Sequence, residues 1–145
     1  MKDRANHMID FSTEFGSRVT QQLKSELIIW LTTVDSRDNP QPRPVWFQWD
    51  GKSFLIYSRP NTHKLSHISQ NPRVSINLNS DAKADEVAVF RGEARLDPSA
   101  PSVIENEEYK EKYESGIANL DMTPAEFSSD YSIPIRVTPS KLRGF

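Results

Sequence analysis

The sequence predicts a mainly β (α+β) domain, six antiparallel strands in a small barrel with peripheral helices, on three observations. Six short runs rich in β-branched and aromatic residues alternate with stretches rich in Pro, Gly, Asn, Asp and Ser, the composition of strands closed by turns. The runs follow one another closely enough for sequence neighbours to pair antiparallel, and six such strands suit a barrel. The 145 residues, 36% hydrophobic and 26% charged, supply the core of one soluble domain and not of two.

Residues 1–11 are mostly polar and are expected to be flexible, which leaves 12–145 as the single folded domain. A helix is expected from Ser12, with Glu14 in its first turn and Phe11, Phe15, Val19 and Leu23 recurring every four residues as a core-facing stripe. The run from Leu27 to Val34 is β-branched and aromatic, a central strand, and Asp35 to Asn39 makes the turn that follows.

The second strand, Pro42 to Trp49, is unusual because Pro40, Pro42 and Pro44 alternate. Alternate residues aim their N–H groups the same way, so the prolines strip donors from one side of the strand only. That side faces solvent, a subunit or a ligand in place of a regular partner strand. Asp50-Gly51 predicts a tight type I′ hairpin, and Ser53 to Tyr57 is the returning strand.

Pro60 then stops the strand, and Asn61 or Thr62 caps a short helix carrying Leu65 and Ile68. After Asn71-Pro72, Val74 to Leu78 alternates as a half-buried strand. Asn79 to Asp85 is a polar loop. Glu86 to Leu96 is the fifth strand, with Arg91-Gly92 at a bulge or close approach. A charged helix from Ser102 to Glu114 offers Val103, Ile104, Tyr109 and Tyr113 for packing. Thr123-Pro124-Ala125-Glu126 opens another helix, with Thr as N-cap, Pro at the first position and Glu three residues on. The last strand runs from Ile133 to Val137.

Charge singles out one segment. From Lys52 to Ser80 there is no Asp or Glu, and Lys52, Arg59, Lys64 and Arg73 give it a charge of +4 in a chain of net charge −2. Its centre is the strand–turn–helix elbow Tyr57 to Ile68. A helix start presents unpaired N–H groups and the positive end of the helix dipole, and here Ser58, Arg59, Asn61, Thr62 and Lys64 surround it. The elbow is a candidate phosphate site.

Other chemistries are excluded or left without support. The slight negative charge argues against general nucleic-acid binding. The absence of cysteine excludes disulfides, thiolate metal sites and a cysteine nucleophile, and accords with a reducing compartment. No apolar run approaches the ~20 residues of a membrane span and the N-terminus lacks a signal-peptide core, so a cytoplasmic protein is expected. Gly-x-Gly-x-x-Gly and Walker loops are missing from a chain with five glycines. His63 and His67 are spaced as two metal ligands, but the only other histidine is His7 near the N-terminus, so no metal is expected. Ser66 and His67 point to different sides of a helix and make no nucleophile–base pair. No self-sufficient catalytic set exists and the catalytic residues stay unassigned, as expected where a cofactor carries the chemistry.

The order of these segments resembles a known family. A helix, the strand ending Trp30-Leu31-Thr32-Thr33-Val34, the strand Pro42-Arg43-Pro44-Val45-Trp46-Phe47, the Asp50-Gly51 hairpin and then Tyr57-Ser58 to Lys64 look like the pyridoxamine 5′-phosphate oxidase-like, FMN-binding split β-barrels. The segments Met122 to Phe127 and Tyr131 to Pro139 are similar to a subgroup assigned as oxidoreductases of the deazaflavin coenzyme F-420. The resemblance covers about residues 12 to 145 and implies a six-stranded antiparallel split β-barrel. It also implies a homodimer with flavin-type sites at the subunit interface, and hydride transfer to or from a small conjugated organic molecule.

By the same resemblance Lys64 anchors the cofactor phosphate, with Tyr57, Ser58 and Arg59 beside it. Arg43, Pro44, Val45 and Trp46 run along the ring system, and Asn77 lies on a strand near the site. Trp46 and Trp49, with Phe47 between them, form an aromatic face that lines the ring or packs in the core. F-420 is the favoured cofactor and FMN the alternative. The oligoglutamate tail of F-420 rewards an extended basic groove, for which Arg37, Arg59 and Arg73 are candidates. A non-enzymatic flavin or haem carrier is the other reading. The arginine and histidine pattern that binds pyridoxal phosphate is not found, so vitamin B6 oxidation is not expected.

Overall fold

The computed structural model describes residues 8–145, and its first element already follows from the sequence. Helix α1, Glu14–Ser25, is capped by Thr13, whose hydroxyl accepts from the Gly16 N–H at 2.9 Å. Its stripe lies against the sheet: Val19 and Leu23 are buried, and Phe11 and Phe15 pack half-buried beside them. Burial of side chains like Val19 and Leu23 is worth about 1.5–3 kcal/mol each. His7 and the rest of residues 1–7 lie outside the described residues; Ile9, in the segment expected to be flexible, packs against the main core.

Among the described residues seven strands, not six, build a curled antiparallel half-barrel: β1 Ile29–Val34, β2 Pro40–Val45, β3 Gln48–Trp49, β4 Phe54–Ser58, β5 Arg73–Leu78, β6 Ala88–Leu96 and β7 Ile133–Gly144. The extra strand arises because the expected run Pro42 to Trp49 breaks at Trp46-Phe47. The Tyr113 hydroxyl takes the place of a ladder partner there. It accepts from the Phe47 N–H at 2.8 Å and faces the carbonyls of Phe47 and Leu27 at 3.0 and 2.8 Å. The hairpin is also wider than expected. Gly51 has φ +95 but Asp50 does not enter the left-handed region; its carboxylate instead accepts from the Lys52 and Ser53 N–H groups.

Sheet order is β2-β1-β5-β6-β7-β4-β3. Sequence neighbours pair at β1–β2, β3–β4, β5–β6 and β6–β7, whereas β1–β5 and β4–β7 are long-range pairings that local pattern did not indicate. The register of β6 on β7 shifts between Arg91 and Gly92, where a Cβ would collide with the Thr138 carbonyl. Strand β7 extends well beyond Val137, so that Ala88 to Leu96 has a partner along its whole length.

The half-barrel encloses a core of Ile29, Leu31, Phe47, Phe54, Ile56, Ile76, Phe90, Ile135 and Val137. A second, aromatic core lies between β4 and the C-terminal helices and holds Leu55, Tyr57, Val103, Tyr109, Tyr113, Ile117 and Phe127. The expected helix Ser102 to Glu114 is interrupted. A 3₁₀ turn at Val103–Glu105 gives way to α3, Glu107–Lys112, then α4, Glu114–Asn119. Asn106 makes the break because its side chain is spent on fixed partners: it accepts from the Tyr109 N–H, and donates to Gln48 at 2.6 Å and Tyr57 at 3.0 Å. Helix α5, Pro124–Asp130, opens with the capping box that the sequence indicates. No helix of the described residues is long and apolar enough to cross a membrane.

Candidate functional site

The elbow forms as its residues dictate. Strand β4 ends at Ser58, Asn61 takes a φ of +64, and helix α2, His63–Gln70, begins after Thr62. Thr62 stands at the cap position without a side-chain bond to the helix; its hydroxyl meets that of Ser58 at 3.1 Å, and Ser58 Oγ also donates to the Arg59 carbonyl. Ser58 is buried and its hydroxyl is used up within the turn. At the other end of α2, His67 Nδ1 lies 2.9 Å from Thr33 Oγ1 and ties the helix to β1. No group of three His, Asp or Glu among the described residues is placed to hold a metal.

Beside the elbow lies an open cleft of about 390 Å³. Arg43, Pro44, Val45 and Trp46 from β2, Tyr57 from β4 and Lys64 from α2 line one side; Tyr109, Leu120, Phe127 and Tyr131 line the other. Its volume and mixed lining are those of a small-molecule site. Six of the nine residues that the sequence nominates therefore meet here.

Ser58, Arg59 and Asn77 do not. Ser58 lies beneath the turn. Arg59 is drawn to α5, 3.8 Å from Asp130, and its guanidinium covers the Tyr131 ring at 5.3 Å. The segment is acid-free in sequence, but the fold brings a carboxylate to it from elsewhere in the chain. Asn77 sits inside the sheet, opposite Trp30 on one side and Val89 on the other. Its neighbours Ile76 and Leu78 are buried, so alternation puts Asn77 on the outer sheet face, in one row with Trp30 and Pro44.

Electrostatically the cleft is one-sided. Lys64 is half-buried; desolvation holds its amine below the ordinary lysine value, and the positive charge of Arg43 lowers it further. Neither cation is in an ion pair among the described residues. The β2 edge beside them has no donors to offer. In an antiparallel pair, residues exchanging N–H···O bonds alternate with residues facing away. Prolines cannot donate, so Pro40, Pro42 and Pro44, opposite Val34, Thr32 and Trp30, occupy the outward positions and leave only carbonyls at the free edge. Such an edge resists strand addition.

Of the two places its spacing left open, Trp46 takes the core packing while still lining the cleft. Its ring lies between Tyr113 (4.5 Å, 2°) and Phe127 (5.4 Å, 16°), and Phe127 stacks in turn on Tyr131 at 4.3 Å. A Cβ on Gly116 would lie 2.9 Å from the indole, so α4 approaches Trp46 as closely as a glycine allows. Trp49 points the other way and packs on Phe54 and Phe90. The two tryptophans are three apart, an odd step, and in an extended chain an odd step reverses the face.

The far wall of the cleft was missed by sequence reasoning. Tyr109 and Tyr113, and Phe127 and Tyr131, are pairs four residues apart, which share a helix face. That signal reads equally well as core packing, and the helices alone do not show which barrel edge they cover.

With this geometry in view, residues 15–139 match the pyridoxamine 5′-phosphate oxidase family. No curated protein matches the chain by sequence. Among solved structures, a protein of Listeria innocua assigned as a pyridoxamine 5′-phosphate oxidase superposes with a TM-score of 0.65 at 23% identity, covering 89% of this chain and 96% of that one. An F-420 reductase superposes with a TM-score of 0.65 at 23% identity, over 85% and 94%. A haem storage protein of Vibrio cholerae gives 0.63 at 14%, over 91% and 95%. At these identities the likenesses speak for the fold.

Proposed function

The chain belongs to the pyridoxamine 5′-phosphate oxidase family, and from that premise we propose that it is an oxidoreductase of a flavin-type cofactor, with F-420 favoured over FMN. One observation carries the reading: two neighbouring cations, Arg43 and Lys64, stand without a carboxylate partner at a cleft with flat aromatic and proline walls. The Lys64 charge, left half-buried, is costly unless something neutralises it, and a phosphate does so.

The residues present fit such a cofactor. Lys64, at the start of α2, holds the phosphate together with the first N–H groups of that helix. The donorless β2 edge from Pro42 to Pro44 accommodates a ring system alongside it. Trp46, stacked on Tyr113 and Phe127, supports that wall. Arg59, fixed over Tyr131 at the rim, is the residue best placed for an acidic tail. Arg37 and Arg73 are not part of the cleft lining. When bound, the cofactor supplies a hydride acceptor or donor; the protein positions it, excludes water and orients the second substrate.

The protein acts as a homodimer in this reading. The outer-face row Pro44, Trp30, Asn77 and Val89 continues from the cleft across four strands. A second copy covering that row closes the open side of the cleft and brings Asn77 into an interface.

The test is a fluorescence titration of the protein with F-420 and, separately, FMN. Lys64→Ala is expected to weaken binding by about 1.5–3 kcal/mol, the worth of a charge-assisted hydrogen bond. Unchanged affinity removes Lys64 from the site, and tighter binding of FMN than of F-420 reverses the cofactor assignment. Turnover of reduced cofactor no faster than in free solution makes the protein a carrier.

A further inference from the structure

Three tyrosines share the aromatic core beneath the cleft, and two of them have their hydroxyls satisfied by protein. Tyr57 donates to the Pro101 carbonyl at 2.7 Å and accepts from Asn106 at 3.0 Å. Tyr113 holds the Phe47 backbone and the Leu27 carbonyl. Tyr109 differs. It is 1% exposed, its ring packed at 4.8 Å against both Tyr57 and Tyr113, yet its hydroxyl has no hydrogen-bond partner among the described residues. The only fully occluded side-chain polar atom without a partner there belongs to Arg18, so the Tyr109 oxygen keeps a small exposure. Tyr109 belongs to the far wall of the cleft, and the cleft is the open space beside it.

A phenylalanine would bury the same ring without a stranded hydroxyl. The group also has a defined character. Desolvation, reinforced by Tyr113, Tyr57 and Tyr131, pushes its proton affinity well above that of a free phenol. It is therefore a neutral donor on the wall opposite Arg43 and Lys64, suited to an uncharged acceptor. The walls leading to it, Phe127, Tyr131 and Pro44, are flat and apolar.

We propose that the Tyr109 hydroxyl binds the carbonyl oxygen of a planar conjugated ketone or aldehyde, the molecule on which this site acts. That the bound carbonyl compound reacts there rests on the redox reading of the cleft; the binding itself needs no cofactor.

The test uses cofactor-free protein and two probes of the same shape, methyl naphthyl ketone and isopropenylnaphthalene, followed by quenching of tryptophan emission. Tyr109→Phe is expected to weaken ketone binding roughly 3- to 10-fold, the range for one neutral hydrogen bond, while the hydrocarbon changes less than about 2-fold. Thermal melting of the variant shows whether the ring still packs. Equal losses for both probes, an unchanged ketone affinity, or no binding of either probe to the wild type each overturn the proposal. A cofactor titration that fails in the wild type refutes the redox reading and leaves the probe comparison standing.

Discussion

Lys112 shows how one side chain can be bound to the fold and made sensitive to pH by the same contacts. Its Nζ donates to the Phe47 carbonyl at 3.0 Å and lies 3.6 Å from the centroid of the Phe47 ring. Desolvation lowers its pKa to about 8, although Glu108 and Glu26 act the other way. Below that value lysine is charged in folded and unfolded chain alike, and the folded state carries the desolvation cost. Between about 8 and the ordinary 10.5 the unfolded chain holds more protons, so this group adds stability as pH rises. Urea unfolding of the wild type is expected to show that rise from about pH 7.5 to about pH 9.5, and Lys112→Met to lack it. A parallel pH profile for the two proteins would exclude Lys112 as the source. Tyr109 and Lys64 belong to this scale too: each is a polar side chain that lines the cleft without a hydrogen-bond or ion-pair partner among the described residues.

At the scale of elements, the hairpin, β7 and the loop after β6 are held by one buried carboxylate. Asp97 is 4% exposed and accepts from Ser99 Oγ at 2.6 Å and Arg136 Nε at 3.1 Å, with Arg95 at 3.5 Å. Arg136 continues to Ser53 and Asp50 in the β3–β4 hairpin. The Ser99 hydroxyl first, then Arg136 and Arg95, hold the Asp97 carboxyl down at about 2, against 3.8 in the unfolded chain. Its contribution is thus complete above pH 3.8 and is lost as pH falls toward 2. Asp97→Asn is expected to cost about 2 kcal/mol at neutral pH and to flatten the acid limb of the stability profile. An acid limb identical to the wild type's would show that other carboxylates govern it. The same scale explains the break in the second strand: Asn106, Tyr113 and Lys112 from the helices bind Gln48 and Phe47, and the backbone at Trp46-Phe47 bends to meet them.

For the whole molecule, the decisive feature is a half-barrel with β2 as one of its two edge strands. A cleft on such an edge is open on the side that the chain does not cover. If the row Pro44, Trp30, Asn77 and Val89 is where a second copy docks, Trp30→Glu places a charge in the interface. Sedimentation is then expected to show a dimer for the wild type and a monomer for the variant, with cofactor affinity reduced alongside. A wild type that sediments as a monomer at tens of micromolar would sink the dimer and leave the single-chain cleft to be judged alone.

Local chemistry was enough to determine many parts of this protein. Turn residues, helix caps and alternation within a few residues marked α1, the capping box of α5, the bulge at Arg91-Gly92, the donorless β2 edge and the cationic elbow, because each is decided by neighbours in the chain. The pairings β1–β5 and β4–β7, the placement of Asp130 on Arg59, and the wall of Tyr109, Leu120, Phe127 and Tyr131 facing Lys64 were decided only by tertiary structure. These join residues dozens of positions apart, and an aromatic pair on a helix has the same spacing whichever surface it goes on to cover.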